Sequence, residues 1–328
     1  MKRLPALARM VLLLSCLGLA PLAALAADTG FPSRPVTLVI PFPPGGATDV
    51  NGRVIAQRLG KELGQPVVIE NRGGAGTVIG ASYVSKAAPD GYTLLISSGT
   101  TFTVNPAIRP NLPYDPVKSF EPIGLAGRVG IILLANSEVP VQTVKQFVDY
   151  VKASPGKYSY ASYGTGTTSQ FAGETILHAA GLKMTHVPYK GSAPAMTDLM
   201  GGQVPFSVDT VSAAIPQLKS GKIKAIAVTT AKRSALLPDV PTMAESGYPE
   251  VNTDTWLVVV APKGLPPEVK AKLEKALAAT IADPDTRAKL SAQGMEPGYS
   301  NSAAVSELIA KELPQMRAIA ARANITSD

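Results

Sequence analysis

Val36-Thr-Leu-Val-Ile-Pro-Phe-Pro-Pro-Gly-Gly-Ala-Thr-Asp49 decides the fold. Val36 to Ile40 is a β-branched apolar run, short enough for a strand buried on both faces. Pro41, Pro43 and Pro44 cannot continue it, and Gly45-Gly46 let the backbone turn sharply and be approached closely. From Thr48 the spacing becomes helical, with Val50, Val54, Ile55, Arg58 and Leu59 recurring at three- and four-residue intervals up to Gly60 or Gly64. A strand, a glycine turn and a helix leave free N–H groups at the positive end of a helix dipole, which is a generic anion cradle. The construction returns at Tyr158-Ser-Tyr-Ala-Ser-Tyr-Gly-Thr-Gly-Thr-Thr-Ser-Gln170. Two cradles suggest two lobes closing on one small anion.

Residues 1–27 read as a cleaved secretory signal. Lys2, Arg3 and Arg9 give a basic start, Met10 to Leu19 is apolar, and Ala24-Leu25-Ala26 is a small-x-small cleavage site. The alternative is a lipid anchor on Cys16, within Leu13-Leu-Ser-Cys16. No later stretch has the roughly 18–20 unbroken apolar residues of a membrane span. Cys16 is the only cysteine, so the mature chain has no disulfide, thiol nucleophile or thiolate metal site. Removing Lys2, Arg3 and Arg9 takes the formal charge from +7 to +4, and aromatics are 5%. Neither a basic block nor base-stacking aromatics point to nucleic acid. The remaining length fits two domains of about 150 residues.

Strand and helix patterns alternate along the whole chain, giving an α/β fold of two lobes, each a mainly parallel sheet flanked by helices. Ile123 to Asn136 and Trp256 to Val260 are the expected crossover strands. Lobe 1 is expected to comprise 28–127 and 255–328, and lobe 2 128–254. Asn105 to Pro122 reads as irregular, and Ser97 to Thr101 as a polar loop at the carboxyl end of a strand, where ligands of parallel sheets gather.

Catalytic signatures are missing. The two histidines, His178 and His186, read as packing residues, and no nucleophile elbow, phosphate loop or metal-ligand spacing occurs. No enzyme activity, cofactor or metal is therefore expected. Gly164-Thr-Gly-Thr-Thr-Ser169 is a weak dinucleotide signal, because no acidic residue follows near Val187 to hold a ribose. What remains looks like a set of ligand receivers. Gly45, Gly46, Ala47 and Thr48 offer backbone N–H groups, although an ordinary strand-to-helix turn has the same pattern. Ser98, Thr100 and Thr101 offer hydroxyls, some of which helix capping would explain equally well. Thr165, Thr167, Thr168 and Ser169 crowd donors at one helix start. Asp209 reads as an N-cap. Facing a carboxylate ligand it would be repulsive without a bridging water or a ligand ammonium group.

The chain resembles the Bug proteins, extracytoplasmic solute receptors of tripartite tricarboxylate transporters, from about Phe31 to Ile319. The resemblance is carried by Pro35 to Asp49, Gly73-Gly-Ala-Gly76 with Ala88-Pro-Asp-Gly-Tyr-Thr-Leu-Leu95, Tyr114-Asp-Pro116, His186-Val-Pro-Tyr-Lys-Gly-Ser-Ala-Pro-Ala195 and Leu236 to Gly247. It implies a type II-like, two-lobed periplasmic binding protein that closes on a small carboxylate: a dicarboxylate or tricarboxylate, an acidic amino acid or an aromatic acid. The implied grip is backbone N–H groups and ordered water rather than an arginine clamp. Mapped by position, the implied binders are Phe42, Gly46, Ala47, Asp49, Ser98, Thr101, Ser162, Gly164, Gly166, Thr167 and Asp209. The implied partners are that ligand and membrane permease subunits, with the receptor a periplasmic monomer. Two departures stand out: the second-lobe loop lacks the family's frequent Gly-Asn-Gly-Ser-His, and Val208-Asp-Thr210 replaces Phe-Asp-Asn. Alternatives are a ligand-sensing subunit for a membrane kinase or a secreted α/β enzyme.

Overall fold

Ten strands give the chain its frame in the computed structural model, which describes residues 30–326; the signal reading at 1–27 lies outside them. The strands are β1 (Val36–Ile40), β2 (Val67–Asn71), β3 (Thr93–Ser98), β4 (Phe120–Asn136) and β5 (Ser159–Ser162). They continue as β6 (Thr185–Pro188), β7 (Phe206–Thr210), β8 (Ile223–Val228), β9 (Asp254–Pro262) and β10 (Met295–Ser300). The helices are α1 (Ala47–Leu63), α2 (Val78–Ser85), α3 (Asn105–Ile108), α4 (Val144–Lys152) and α5 (Thr168–Ala180). After them come α6 (Ser192–Met200), α7 (Val211–Leu218), α8 (Pro267–Ala282), α9 (Pro284–Ala292) and α10 (Ser302–Ala323).

The strand order is β2-β1-β3-β9-β4-β7-β5-β6, with β8 and β10 also on β4. The outer pairs β1–β2, β1–β3, β5–β6 and β5–β7 are parallel, joined by helical crossovers. The long strands depart from that pattern: β4 runs antiparallel to β9, β7, β8 and β10. Strand β4 is the element both lobes share. Its residues from Phe120 to Gly130 pair with β9, and those from Ile131 onward pair with β7 and β8. It begins three residues earlier than its apolar pattern predicts, because Phe120 packs edge-on against Phe102 and Tyr114 in the core.

Burial follows the pattern of the sequence. Val36, Leu38, Val39 and Ile40 are all fully buried, as a strand covered on both faces requires. One core gathers on the β1–β3–β9 side around Phe102, Phe120 and Trp256, with the Phe102 and Trp256 rings stacked at 6.1 Å. The other half packs Phe147, Tyr160 and Phe206 on one face of its sheet, and Met196, Leu199 and Val228 on the other. The segment after β3 is not a loop. Thr100–Val104 is a π-helical turn running into α3, both buried, the sort of irregularity that tends to accompany functional sites. Strand β10, which the sequence pattern does not reveal, carries Pro297 and Gly298 and pairs with β4 through an irregular register.

Candidate functional site

The first glycine turn does what its residues dictate. Gly45 has φ +93°, outside the range most side chains accept, and Gly46 is the extended N-cap of α1 without a side-chain cap. The opening N–H groups of α1 thus face out of the helix, as the geometry of any helix start requires. Asp49 holds the turn from beneath. Its carboxylate accepts from Gly45 N (3.0 Å), Asn71 Nδ2 (3.0 Å) and the Arg53 guanidinium (2.8 Å). Burial raises its pKa, but these hydrogen bonds and the Arg53 charge outweigh burial and hold it below the usual carboxylate range.

The second turn folds on itself in the same way. Ser162 Oγ pairs with His186 Nε2 at 2.7 Å and accepts from Gly164 N at 3.1 Å. Thr167 Oγ1 donates to Gly164 O at 2.6 Å, and Gly166 N donates to Gln170 Oε1 at 2.7 Å. Burial pushes His186 down to about 4, so it is a neutral hydrogen-bonding partner. His178, expected to pack, is instead exposed near the end of α5.

Between the turns lies a narrow cleft with about 20 Å³ of free space, room for little more than a water molecule. The first half contributes Phe42, Pro43, Gly46, Ala47, Thr48 and Ser98, and β9 contributes Thr255. The second half contributes Tyr163, Gly191, Ser192 and Thr210. The lining therefore contains backbone, hydroxyls and two aromatic rings, and no charged side chain. Of the eleven residues singled out from sequence, Phe42, Gly46, Ala47 and Ser98 line this cleft. Asp49, Ser162, Gly164, Gly166 and Thr167 stand behind it, bonded to their own loops as described. Thr101 is behind it too, its Oγ1 donating to Thr77 Oγ1 at 2.7 Å and paired with Ser97 Oγ at 2.6 Å.

Asp209 stands directly beside the lining. Its Oδ1 accepts from Ser192 Oγ (2.9 Å), Thr210 N (2.6 Å) and Thr210 Oγ1 (3.2 Å), and both partners line the cleft. It is fully buried, and burial pushes it up to about 6 despite those bonds. It is not the helix cap: Thr210 caps α7, accepting from Ala213 N at 3.2 Å. Ser192, Tyr163, Thr210 and Thr255 were not legible as binders, although Gly191-Ser192 lies in a stretch that carries the family resemblance.

The two halves touch around the cleft. Phe42 meets Tyr163 edge-to-face at 6.2 Å, and Asn51 Nδ2 donates to Ser212 Oγ at 3.3 Å. Thr100 Oγ1 pairs with Thr168 Oγ1 at 3.1 Å. A Cβ added to Gly191 would sit 3.3 Å from the Pro43 ring, so the two loops pack closely. Among the described residues, no three His, Cys, Asp or Glu side chains gather as a metal ion requires. No described helix is long and apolar enough to cross a membrane.

Comparison with known proteins agrees along nearly the full length. The model of the tripartite tricarboxylate transporter family receptor matches residues 52–325. The solved periplasmic binding protein BugD superposes with a TM-score of 0.86 at 39% identity, covering 91% of this chain and 100% of that one. A Rhodopseudomonas palustris protein solved with adipate superposes with a TM-score of 0.88 at 36% identity, covering 90% and 99%. MatC of the same organism, solved with bound malate, gives 0.82 at 33% identity, covering 88% and 99%.

Proposed function

We propose that this chain, which belongs to the tripartite tricarboxylate transporter receptor family, captures a small carboxylate in the cleft and delivers it to membrane permease subunits. The observation that carries the reading is the cleft itself: a helix start at Gly46-Ala47-Thr48 and the Ser98 hydroxyl face Tyr163, Ser192 and Thr210 across a narrow gap, with no cation in the lining. Such a site holds an anion by oriented N–H and O–H groups and the α1 dipole. The relatives solved with adipate and malate support the same ligand class. Family and structural relatives are solute receptors, which supports capture rather than conversion.

On this reading the lobes are 28–127 with 255–328, and 128–254, hinged where β4 and β9 cross between them. Residues 1–27 direct export to the periplasm, and the receptor works as a monomer. Ligand bridges both halves only when they meet, so it favours the closed state by its differential affinity. Of the residues first mapped as binders, Phe42, Gly46, Ala47 and Ser98 contact ligand, and the others hold the loops that do.

The test is a thermal-shift screen of ligand-free protein against dicarboxylates, tricarboxylates, acidic amino acids and aromatic acids. A binder at 100 times its dissociation constant stabilises the fold by about 2.7 kcal/mol, an easily read rise in melting temperature. If no carboxylate moves the transition, the proposal fails.

A further inference from the structure

Two buried oxygens, one in the cleft lining and one on a residue bonded to it, have no partner within the protein. Thr255 Oγ1 lies in the lining, on a residue 3% exposed, and accepts and donates nothing within the protein. Asp209 Oδ2 is the second. All the donors that reach Asp209, from Ser192 and Thr210, converge on Oδ1, leaving Oδ2 as an acceptor with its lone pairs unused. Buried polar atoms are nearly always satisfied, and an exception calls for a cause. Thr255 is held in place by its neighbour Asp254, which takes both Arg128 Nη1 contacts at 2.8 Å, and Asp209 by its place in β7 opposite Ile132.

A plain carboxylate satisfies only half of this pair: it can accept from the Thr255 hydroxyl but brings no hydrogen to an ionised Asp209 Oδ2. Its oxygens only accept hydrogen bonds, and so does an ionised Asp209. No cation compensates the Asp209 charge: the groups that face it are the Ser192 and Thr210 hydroxyls and the Tyr163 phenol, whose own ionisation the Asp209 charge opposes. What would complete the site is a ligand group with a hydrogen to give. We propose that Thr255 and Asp209 form a subsite for a hydrogen-bond donor on the ligand's carbon chain, so that the receptor selects carboxylates bearing a hydroxyl or ammonium group over their unsubstituted counterparts. The proposal rests on the carboxylate reading above and narrows it. In such a site Asp209 accepts the ligand's O–H or N–H through Oδ2, while Thr255 Oγ1 accepts a second hydrogen or donates to the ligand hydroxyl.

Calorimetric titration of ligand-free protein with two matched series tests it: succinate, malate and aspartate, then glutarate, 2-hydroxyglutarate and glutamate. The substituted members of at least one series are expected to bind about 10- to 100-fold more tightly than the parent acid, the usual scale of a hydrogen bond to a charged group. Whether malate or aspartate leads within the series tells a hydroxyl from an ammonium. Thr255→Val keeps the side-chain shape, and together with Asp209→Asn it is expected to cut the preference to about threefold or less. Equal or tighter binding of the parent acids in both series overturns the proposal while leaving the carboxylate reading intact. A preference that persists unchanged in Thr255→Val also overturns it, even if Asp209→Asn fails to fold. Absence of binding by all six acids sinks the carboxylate reading itself, and this subsite with it.

Discussion

Thr100 Oγ1 lies 3.1 Å from Thr168 Oγ1 and accepts the Thr168 backbone N–H at 3.2 Å. The π-turn after β3 is thus bonded to the first residue of α5, and the two residues belong to opposite sides of the cleft. Both side chains are buried. On the proposed closure these contacts form only when the halves meet, so they would count toward closure rather than toward the stability of either half. Thr100→Val preserves volume but leaves the Thr168 N–H without its acceptor. An orphaned buried donor costs about 1–3 kcal/mol, so ligand affinity is expected to fall roughly 5- to 100-fold. Titration of wild type and variant with the same carboxylate checks this, and unchanged affinity would remove Thr100 from the closing contact.

Gly76 tests closure from a different side. Its φ is +59°, and a Cβ there would lie 2.8 Å from the backbone oxygen of Thr165, across the cleft. Gly64, at the end of α1, has a similar φ of +72° with nothing within 4 Å of an added Cβ. Alanine at either site carries a left-handed strain of about 1–2 kcal/mol. Only at Gly76 does it also hold the halves apart. Gly76→Ala and Gly64→Ala are therefore expected to melt a few degrees lower by similar amounts, while only Gly76→Ala loses tenfold or more in ligand affinity, roughly. Equal affinities for the two variants would refute the steric account.

The sequence made the frame readable and the lining only half so. Strand β1 and helix α1 follow from apolar runs and periodicity, which survive into the fold because they are the same burial that drives it. The hydroxyls of the second loop misled for a definite reason. A sequence shows that Ser162 and Thr167 can donate, but not that Gly164 O and His186 already take those hydrogens. Likewise Asp49 looks like a cleft residue until Asn71, far along the chain, is seen beneath it. The lining residues that were missed, Tyr163, Ser192, Thr210 and Thr255, arrive from three separate strand ends and one helix start. Their convergence is a property of strand order, and antiparallel pairing through β4 and β9 is what brings Thr255 to the cleft.

Acidity is expected to act on the fold through Asp209 and His186 in opposite directions. Asp209 rises from 3.8 to about 6 in the fold, so the folded state holds a proton that the unfolded chain has released. Its contribution to stability is fully present below about pH 4 and is lost as pH rises through 6, a difference of about 3 kcal/mol. His186 falls from 6.5 to about 4. Its contribution is present above pH 6.5 and is lost as pH falls toward 4. The two windows overlap, so wild-type stability changes little between them. Single variants expose each side. Asp209→Asn should gain on wild type as pH is raised from 4 to 7, and His186→Gln should gain as it is lowered over the same range. Melting temperatures across that range decide, and parallel curves for all three proteins would discard both assignments.

Glu312 on α10 ties the same π-turn to the crossover strand, and the tie spans most of the chain. Its Oε1 accepts from Thr103 Oγ1 at 2.8 Å and its Oε2 from Trp256 Nε1 at 2.6 Å. Burial raises its pKa, with the two hydrogen bonds opposing. Gln at this position keeps one acceptor oxygen and presents an NH2 group where the second was. Either the Thr103 hydroxyl or the Trp256 indole then faces a donor, and the hydroxyl can turn away where the indole cannot. The amide is therefore expected to keep its oxygen on Trp256 and to donate its NH2 to the Thr103 hydroxyl, whose own hydrogen turns to Gly99 O, so that a charge-assisted bond becomes a weaker neutral one. Glu312→Gln should lose about 1–3 kcal/mol of stability near neutral pH. Because Thr103 stands three residues from Thr100, the loosened turn should also weaken ligand binding. Thr103→Val supplies the control: it removes the same tie without touching Trp256. If Glu312→Gln and the double variant with Thr103→Val have the same melting temperature and affinity, the effect runs through Thr103. If the two substitutions instead add in full, Glu312 acts on β9 alone and the link to the cleft is broken.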